Sequence, residues 1–486
     1  MIYSELLRFF MEKIKVKSLP VFYHFIRCVI KFAMSIFFQK IELQNGENVP
    51  AHGPVIFVAN HPNSIMDALV MGLVTKRKVN YIGHTGLFSN KLKSWFLRSC
   101  GVIPIYRRED APGQMDQNVF AFQACYEVLE SGETIGIFPE GTSDMFRKVK
   151  KVKTGAARIA LETEKRNNYQ LGLKVIPIGL YFFSRSRFRS KVLMNVGEPV
   201  KLESYFEVNK EDNPEAVQRL TEEIQQSLEA LTVNIRHEEL DDFVKDIEVL
   251  YGNELKTDSP DLQEVSEETV ADFLVTQKIA DCVEYYYEHD LERVRNFQAE
   301  ISAYKRKLKW LRLRDNMIKE KTTFSQMVKN SAVTFVRSLI GLPLALYGTV
   351  NNVIPYVLAE NLAKKFVDER TKILSALLIG GGIAFILFYS VQVFAVWFYL
   401  GKLWAAVYLV SLPISGFFAL AYFKQIRQEQ ERISLSFFLF TNRQLFNRMR
   451  GERKRLISKM DEIRDEYRQL MGIRPAKASN EVSNLN

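Results

Sequence analysis

The chain has 486 residues, of which 25% are charged and 47% hydrophobic, and it carries a formal net charge of +10 with a pI of about 9.1. That length exceeds one ordinary domain of roughly 100–200 residues. The basic balance suits an anionic partner, whether phosphorylated substrate, acidic membrane surface or nucleic acid, without choosing among them. Four cysteines, Cys28, Cys100, Cys125 and Cys282, stand far apart with no CxxC pair, which excludes a cysteine zinc knuckle and a thioredoxin-like pair and leaves inert thiols as the reading.

Charges at Glu5, Arg8, Glu12, Lys13, Lys15 and Lys17 precede the first apolar run, so a cleavable secretory signal is not expected. Residues 1–40 form an N-terminal amphipathic segment. From Leu19 to Phe38, His24, Arg27, Lys31 and Ser35 recur three and four apart, which puts a thin polar stripe on an otherwise apolar helix. Such a face suits either a membrane interface or the protein's own core.

Between Ile41 and Val200 short apolar runs alternate with helical patterns. Val55–Ala59, Val79–Gly83, Thr134–Phe138, Leu173–Ile178 and Val192–Val196 read as strands. The alternation predicts an α/β domain with a mostly parallel sheet flanked by helices. A helix over Asn213–Leu231 closes this domain, taken as 41–235.

Residues 236–330 read as a charged helical region, with Val270, Phe273, Leu274 and Ile279 at helical spacing. Its tract Tyr304–Arg314 interleaves cations with apolar and aromatic residues, a pattern open to a solvated helix face or to contact with RNA or lipid headgroups.

Residues 331–423 read as a membrane region. Ile373–Gly401 and Leu403–Phe423 hold no charged residue, and only Lys402 separates them. Each run reaches the ~20 apolar residues that a bilayer crossing needs, so a transmembrane helical hairpin is expected over about 373–400 and 403–423. Lys364, Lys365, Arg370 and Lys372 then lie on the same side as Lys424, Arg427 and Arg432, and basic flanks tend to remain cytoplasmic. Ser338–Ala359 is also uncharged but contains Pro343, Asn351, Asn352 and Pro355, so it reads as interfacial, re-entrant or broken and is not counted as a span. Residues 424–486 form a basic helical tail that an anionic leaflet attracts at about 1 kcal/mol per cation.

Four segments stand out, in this order: Val58-Ala59-Asn60-His61-Pro62-Asn63-Ser64-Ile65-Met66-Asp67, Gly101-Val102-Ile103-Pro104-Ile105-Tyr106-Arg107-Arg108, Phe138-Pro139-Glu140-Gly141-Thr142-Ser143 and Val175-Ile176-Pro177-Ile178-Gly179, the last of them chemically silent and read as part of the sheet. The first three, and the lysines that follow the third, each have a bland alternative. Ser64-Ile65-Met66-Asp67 has the form of a helix-capping sequence, Arg107 can pair with Glu109 or Asp110, the Pro139-Glu140-Gly141 stretch can be a plain turn, and Lys150, Lys151 and Lys153 can be a solvated charge run. No P-loop, HExxH pair or metal-ligand cluster is present in the sequence.

Together the four segments resemble the glycerophospholipid acyltransferase family, which includes glycerol-3-phosphate and 1-acylglycerol-3-phosphate acyltransferases. The resemblance covers roughly Ile41 to Val200. It implies that His61 is the general base and Asp67 the carboxylate that orients it, that Arg107 binds the acceptor phosphate, and that Glu140, Gly141 and Thr142 help bind the phosphorylated acceptor. The fourth segment, Val175–Gly179, then reads as part of the sheet and of the acyl-chain wall. A titratable imidazole suits removal of a hydroxyl proton as the oxygen attacks a thioester. Five residues separate His61 from Asp67 where most of the family has four, which resembles the branch acting on glycerol-3-phosphate or dihydroxyacetone phosphate. Residues six apart do not share one helix face, so a turn must absorb the extra residue.

The expected function is therefore a membrane-bound transfer of a fatty acyl group from acyl-CoA or acyl-carrier protein, as co-substrate, to glycerol-3-phosphate or dihydroxyacetone phosphate. No metal or other cofactor is implied, and no nucleic-acid partner. The alternative acceptor is 1-acyl-glycerol-3-phosphate, yielding phosphatidic acid. Readings of other classes are a non-catalytic lipid-binding scaffold in the membrane and an esterase that activates water. An integral membrane protein with its catalytic domain on the cytoplasmic face is expected.

Overall fold

The structure, a computed structural model, describes residues 20–107, 112–185, 187–311, 313–319, 324–366 and 370–472. Arg108, Glu109, Asp110, residues 1–19 of the N-terminal segment and residues 473–486 of the tail lie outside the described residues. Two compact units divide the chain: residues 1–238 with 369–378, and residues 239–368 with 379–486.

The first unit is built on a seven-stranded sheet, β1 Lys40–Gln44, β2 Val55–Ala59, β3 Val79–His84, β4 Ile103–Ile105, β5 Thr134–Ile137, β6 Lys174–Phe182 and β7 Lys191–Val196, in the order β1-β7-β6-β2-β5-β3-β4. Among the described residues the sole antiparallel neighbours are β6 and β7. Residues 183–190 are too short for the crossover of a dozen or more residues that a parallel connection requires. The five strands expected from sequence form, and β4 lies within the second motif. Strand β1 was not expected, because its Lys-Ile-Glu-Leu-Gln sequence is short and half polar, as an edge position allows.

Alternation along β2 explains the two-sided core. Ile56 and Val58 pack with Ile135 and Val175 against helices α4 Asn118–Glu130, α5 Gly155–Arg166 and α6 Asn213–Ala230. Val55, Phe57 and Ala59 face the opposite way, toward Met34 and Phe37 of α1 Pro20–Phe37 and Met66 and Val70 of α2 Ile65–Met71. Every residue of β2 is buried, as expected for a strand covered by helices on both faces. Helix α3, Lys91–Ser99, precedes β4. The N-terminal helix thus uses part of its apolar face as core, while Phe25 and Phe32 remain exposed.

The second unit contains a bundle of α7 Asp241–Asp258, α8 Glu268–His289, α9 Leu291–Trp310 and a last helix, Arg443–Leu470. Core residues follow helical spacing, for example Ile301, Tyr304 and Leu308 on α9. The last helix is joined to those before the apolar region by polar contacts. The buried Arg453 guanidinium donates to Asp315 at 3.0 Å and to Glu254 at 2.9 Å, Arg293 forks onto Glu466, and Lys307 and Lys459 reach Glu452 and Glu300. Two cations of the basic tail, Arg453 and Lys459, are thus committed to carboxylates. The Tyr304–Arg314 tract likewise buries Tyr304 and Leu308 and pairs Lys305 with Asp246.

Between these helices lie α10 Phe324–Phe366, α11 Ile373–Leu400 and α12 Lys402–Thr441, which makes the last helix α13. Among the described residues, three stretches are long and apolar enough to cross a membrane: Ser338–Ala363, Ile373–Leu400 and Lys402–Gln430. The first was not counted from sequence, yet Pro343 and Pro355 lie inside one continuous helix. Its polar groups find partners within the unit. Asn352 donates to Gly348 O at 2.8 Å and Leu412 O at 3.2 Å, and accepts from the Tyr389 hydroxyl. Internal satisfaction of this kind is what a polar group on an apolar helix needs where water is excluded. Gly348 is required there, because a Cβ at that position would lie 2.1 Å from Ser415 O.

Candidate active site

His61 and Glu140 follow the carboxyl ends of β2 and β5, which are parallel neighbours with Val58 opposite Ile137. The crevice beyond the carboxyl ends of such strands is where open α/β sheets bind ligands. Asn60 braces the turn after β2, exchanging two hydrogen bonds with the backbone of Leu180 on β6 at 3.1 and 2.7 Å.

The His61 ring places Nδ1 2.8 Å from Oδ2 of Asp67. It also stacks on Phe138, with ring centroids 4.2 Å apart and planes 15° from parallel. Oδ2 of Asp67 accepts the Asn63 N–H as well, at 2.6 Å. Asp67 is fully buried, and burial raises its pKa although the hydrogen bond from His61 opposes the shift. With Asp67 ionised, Nδ1 carries the ring proton and Nε2 is left with a lone pair.

The six-residue separation is absorbed at Ser64, whose φ of 53° and ψ of −126° match the first central residue of a type II′ turn. The turn closes with Met66 N–H donating to Asn63 O at 3.1 Å. No side-chain cap forms at Ser64, so the capping-box alternative is not realised. The Asp67 carboxylate instead reaches back past Ser64 to Asn63 and His61.

Glu140 is 4% exposed and holds the two loops together. Its Oε1 accepts the backbone N–H of His61 at 2.9 Å and its Oε2 accepts that of Lys150 at 3.2 Å. Burial nevertheless pushes its pKa up to about 7. His61 O accepts the Asp144 N–H at 3.2 Å, a second tie between the loops.

Gly141 has φ of +74°, a conformation that favours glycine, and the Lys153 side chain lies close over it. Arg107, just beyond β4, donates Nη1 to Gly141 O at 2.8 Å. Thr142 is exposed beside Gly141. The structure therefore gathers His61, Asp67 and Glu140 directly and joins Arg107 to them through the backbone of Gly141, while Thr142 stands at the surface.

Sequence reasoning missed Arg185 and Arg147. Both line a depression with His61, Glu140, Asp144 and Tyr181. The charge of Arg185 favours the ionised form of Asp67. The available signal was position, since Arg185 follows the carboxyl end of β6, next to β2. Among the described residues no group of three or more His, Cys, Asp or Glu side chains is placed to hold a metal ion.

Residues 40–181 match the family model described as Acyltransferase. The chain is 26% identical over 317 residues to glycerol-3-phosphate O-acyltransferase 1 of Saccharomyces cerevisiae, covering 61% of this chain and 40% of that protein. It is 31% identical over 161 residues to the chloroplastic 1-acyl-sn-glycerol-3-phosphate acyltransferase LPAT1 of Arabidopsis thaliana, covering 33% and 41%. The chain thus spans about two fifths of the length of these curated relatives. A crystal structure of the 1-acyl-sn-glycerophosphate acyltransferase from Thermotoga maritima aligns with a TM-score of 0.33 and 22% identity, over 47% of this chain and 88% of that one.

Proposed function

Residues 40–181 are an acyltransferase domain of the glycerophospholipid acyltransferase type, and on that premise we propose that the chain transfers a fatty acyl group from an acyl thioester to the hydroxyl of glycerol-3-phosphate or dihydroxyacetone phosphate. The observation that carries the chemistry is the 2.8 Å contact between His61 Nδ1 and Asp67 Oδ2. It leaves Nε2 to take the hydroxyl proton as the alcohol oxygen attacks the thioester carbonyl. Asp67 stabilises the imidazolium that forms. Collapse of the tetrahedral adduct breaks the carbon–sulfur bond, and the imidazolium returns its proton to the departing thiolate. The products are the acylated phosphate ester and the free thiol.

Arg107 is assigned to the acceptor phosphate, since a guanidinium offers parallel donors to phosphate oxygens. Gly141 and Thr142 belong to the same subsite. Glu140 contributes there by position, because both its oxygens are engaged by backbone N–H groups. Glycerol-3-phosphate is preferred over its acylated form because of the His61–Asp67 spacing and because the longer of the two alignments reported is to the yeast glycerol-3-phosphate enzyme.

A panel of acceptors offered with radiolabelled acyl-CoA or acyl-carrier protein, in membranes free of host acyltransferases, tests this reading. Acylation of glycerol-3-phosphate or dihydroxyacetone phosphate, lost in His61→Ala, supports it. Preference for 1-acyl-glycerol-3-phosphate would transfer the assignment to phosphatidic acid synthesis. Release of free fatty acid alone would indicate an esterase.

We also place the protein in a membrane with its catalytic unit on the cytoplasmic side. The contacts of α13 with Glu254, Arg293, Glu300 and Asp315 support having the segments before and after the apolar helices on one side. An even number of crossings follows, assigned to the hairpin at about 373–400 and 403–423. The basic flanks favour the cytoplasm for both ends.

A further inference from the structure

A partly open cavity of about 390 Å³ lies within the second unit, bounded by α7, α8, α9 and α13. That volume falls in the range of roughly 300–1,000 Å³ typical of small-molecule sites. Its walls are mostly apolar, with Ile247 and Leu255 from α7, Ile279 from α8, Phe297 from α9 and Met460 from α13. An apolar void left empty forfeits the contacts its lining atoms would otherwise make. A hydrocarbon chain would restore them.

The lining is also basic, and its cations are not equivalent. Lys278 pairs with Asp261, Arg293 with Glu466 and Arg464 with Asp461 and Asp465. The half-buried Arg468 lies near enough to Asp261 to favour its ionised form, yet makes no direct ion pair among the described residues and donates Nη2 to the Ser259 hydroxyl at 3.0 Å. It therefore adds a guanidinium with donors to spare to a chamber whose other cations are paired, the combination that recognises a carboxylate or phosphate head. The same unit carries α10, α12 and α11 beyond Leu378, so single-chain amphiphiles dissolved in a bilayer are close at hand.

We propose that this cavity is a second lipid site, separate from the His61 site, that takes one acyl chain bearing an anionic head group held by Arg468. It stands apart from the acyl-transfer reading, because none of its residues belongs to the first unit.

The test uses the full-length protein in membranes, a photoactivatable palmitate with a diazirine at the chain end, and peptide mapping of the adducts by mass spectrometry. Adducts are expected on α8, α9 or α13. Excess palmitate, 1-palmitoyl lysophosphatidate and palmitoyl-CoA each compete, and the most effective of them identifies the physiological head group. Arg468→Ala raises the palmitate concentration needed for competition at least tenfold, without changing that for uncharged monopalmitin. Ile279→Trp, which fills the chamber, removes the adducts, whereas His61→Ala leaves them unchanged. Adducts confined to residues 338–430 or to the first unit would overturn the proposal. So would equal competition against wild type and Arg468→Ala, an arm that decides the matter even if Ile279→Trp fails to fold.

Discussion

The backbone N–H of His61 donates to the side chain of Glu140 at 2.9 Å, so the carboxylate of one motif holds the main chain of another 79 residues away. Glu140 also accepts the N–H of Lys150, and both of its oxygens are thereby occupied. Those two bonds tie down the backbone from which the imidazole projects.

Replacing Glu140 by Ala therefore leaves two N–H donors without their acceptor and lets the loop after β2 drift. Displacement of reacting groups by about 1 Å can cost on the order of 10²-fold in rate. We expect Glu140→Ala to lower kcat by about that factor while KM for the phosphorylated acceptor changes little. A rise in KM with kcat retained would instead mark Glu140 as a direct ligand of the acceptor.

The same carboxyl sets a pH dependence of stability. Burial raises its pKa from 4.5 to about 7, so between those values the folded state binds the proton and the unfolded chain has released it. Stability from this group therefore falls as pH rises from 4.5 to 7, by up to about 3 kcal/mol, and is flat above. Glu140→Gln lacks this proton. The thermal midpoint of wild type relative to Glu140→Gln should decline across that window, and parallel profiles would contradict the shift.

Asp67→Asn tests the orienting role. The amide keeps the shape but can present a donor to Nδ1, favouring the tautomer with its proton on Nε2. A loss in kcat on the order of 10³–10⁴-fold at neutral pH is expected from the equivalent change in catalytic triads. Assays of the purified variant with labelled donor would show it, and a loss below tenfold would remove Asp67 from the mechanism.

Ser64 offers a test that leaves the chemistry untouched. Its positive φ is a conformation in which glycine is unstrained and β-branched residues are outliers. Ser64→Gly should keep activity within about twofold, while Ser64→Val should destabilise by roughly 1–3 kcal/mol. Thermal melts of the two variants decide this, and equal melting temperatures would show that the turn bears no strain.

Membrane topology is checked with reporters. Single cysteines introduced near residue 316 and after Leu470 should react alike with an impermeant maleimide applied to sealed inverted vesicles. Opposite accessibility would mean an odd number of crossings.

Much of this arrangement was legible in the chain, for identifiable reasons. Strands such as Val55–Ala59 announced themselves because burial on both faces demands an unbroken apolar run. Strand Lys40–Gln44 did not, because an edge strand tolerates Lys40 and Glu42. Residues 338–359 were not counted as a span because of their prolines and asparagines; Asn352 is accommodated by hydrogen bonds with Leu412 and Tyr389 that no local pattern reveals. In the candidate site, His61, Asp67 and Glu140 were named from motifs, and the structure brings them together. The contact of Arg107 with Gly141 and the influence of Arg185 on Asp67 depend on strand order, which a linear reading does not supply.

Val58 sits opposite Ile137, and His61 and Glu140 each come three residues later. Equal offsets from one rung mean that the ladder works as a ruler, indexing the two loops against each other whatever the length of chain between them. Insertions in the intervening helices are therefore cheap for this centre, but a slip of β5 by a single residue would shift it by ~3.3 Å and turn its side chains to the opposite face. Variation in such proteins should accumulate in the crossovers and spare the rungs.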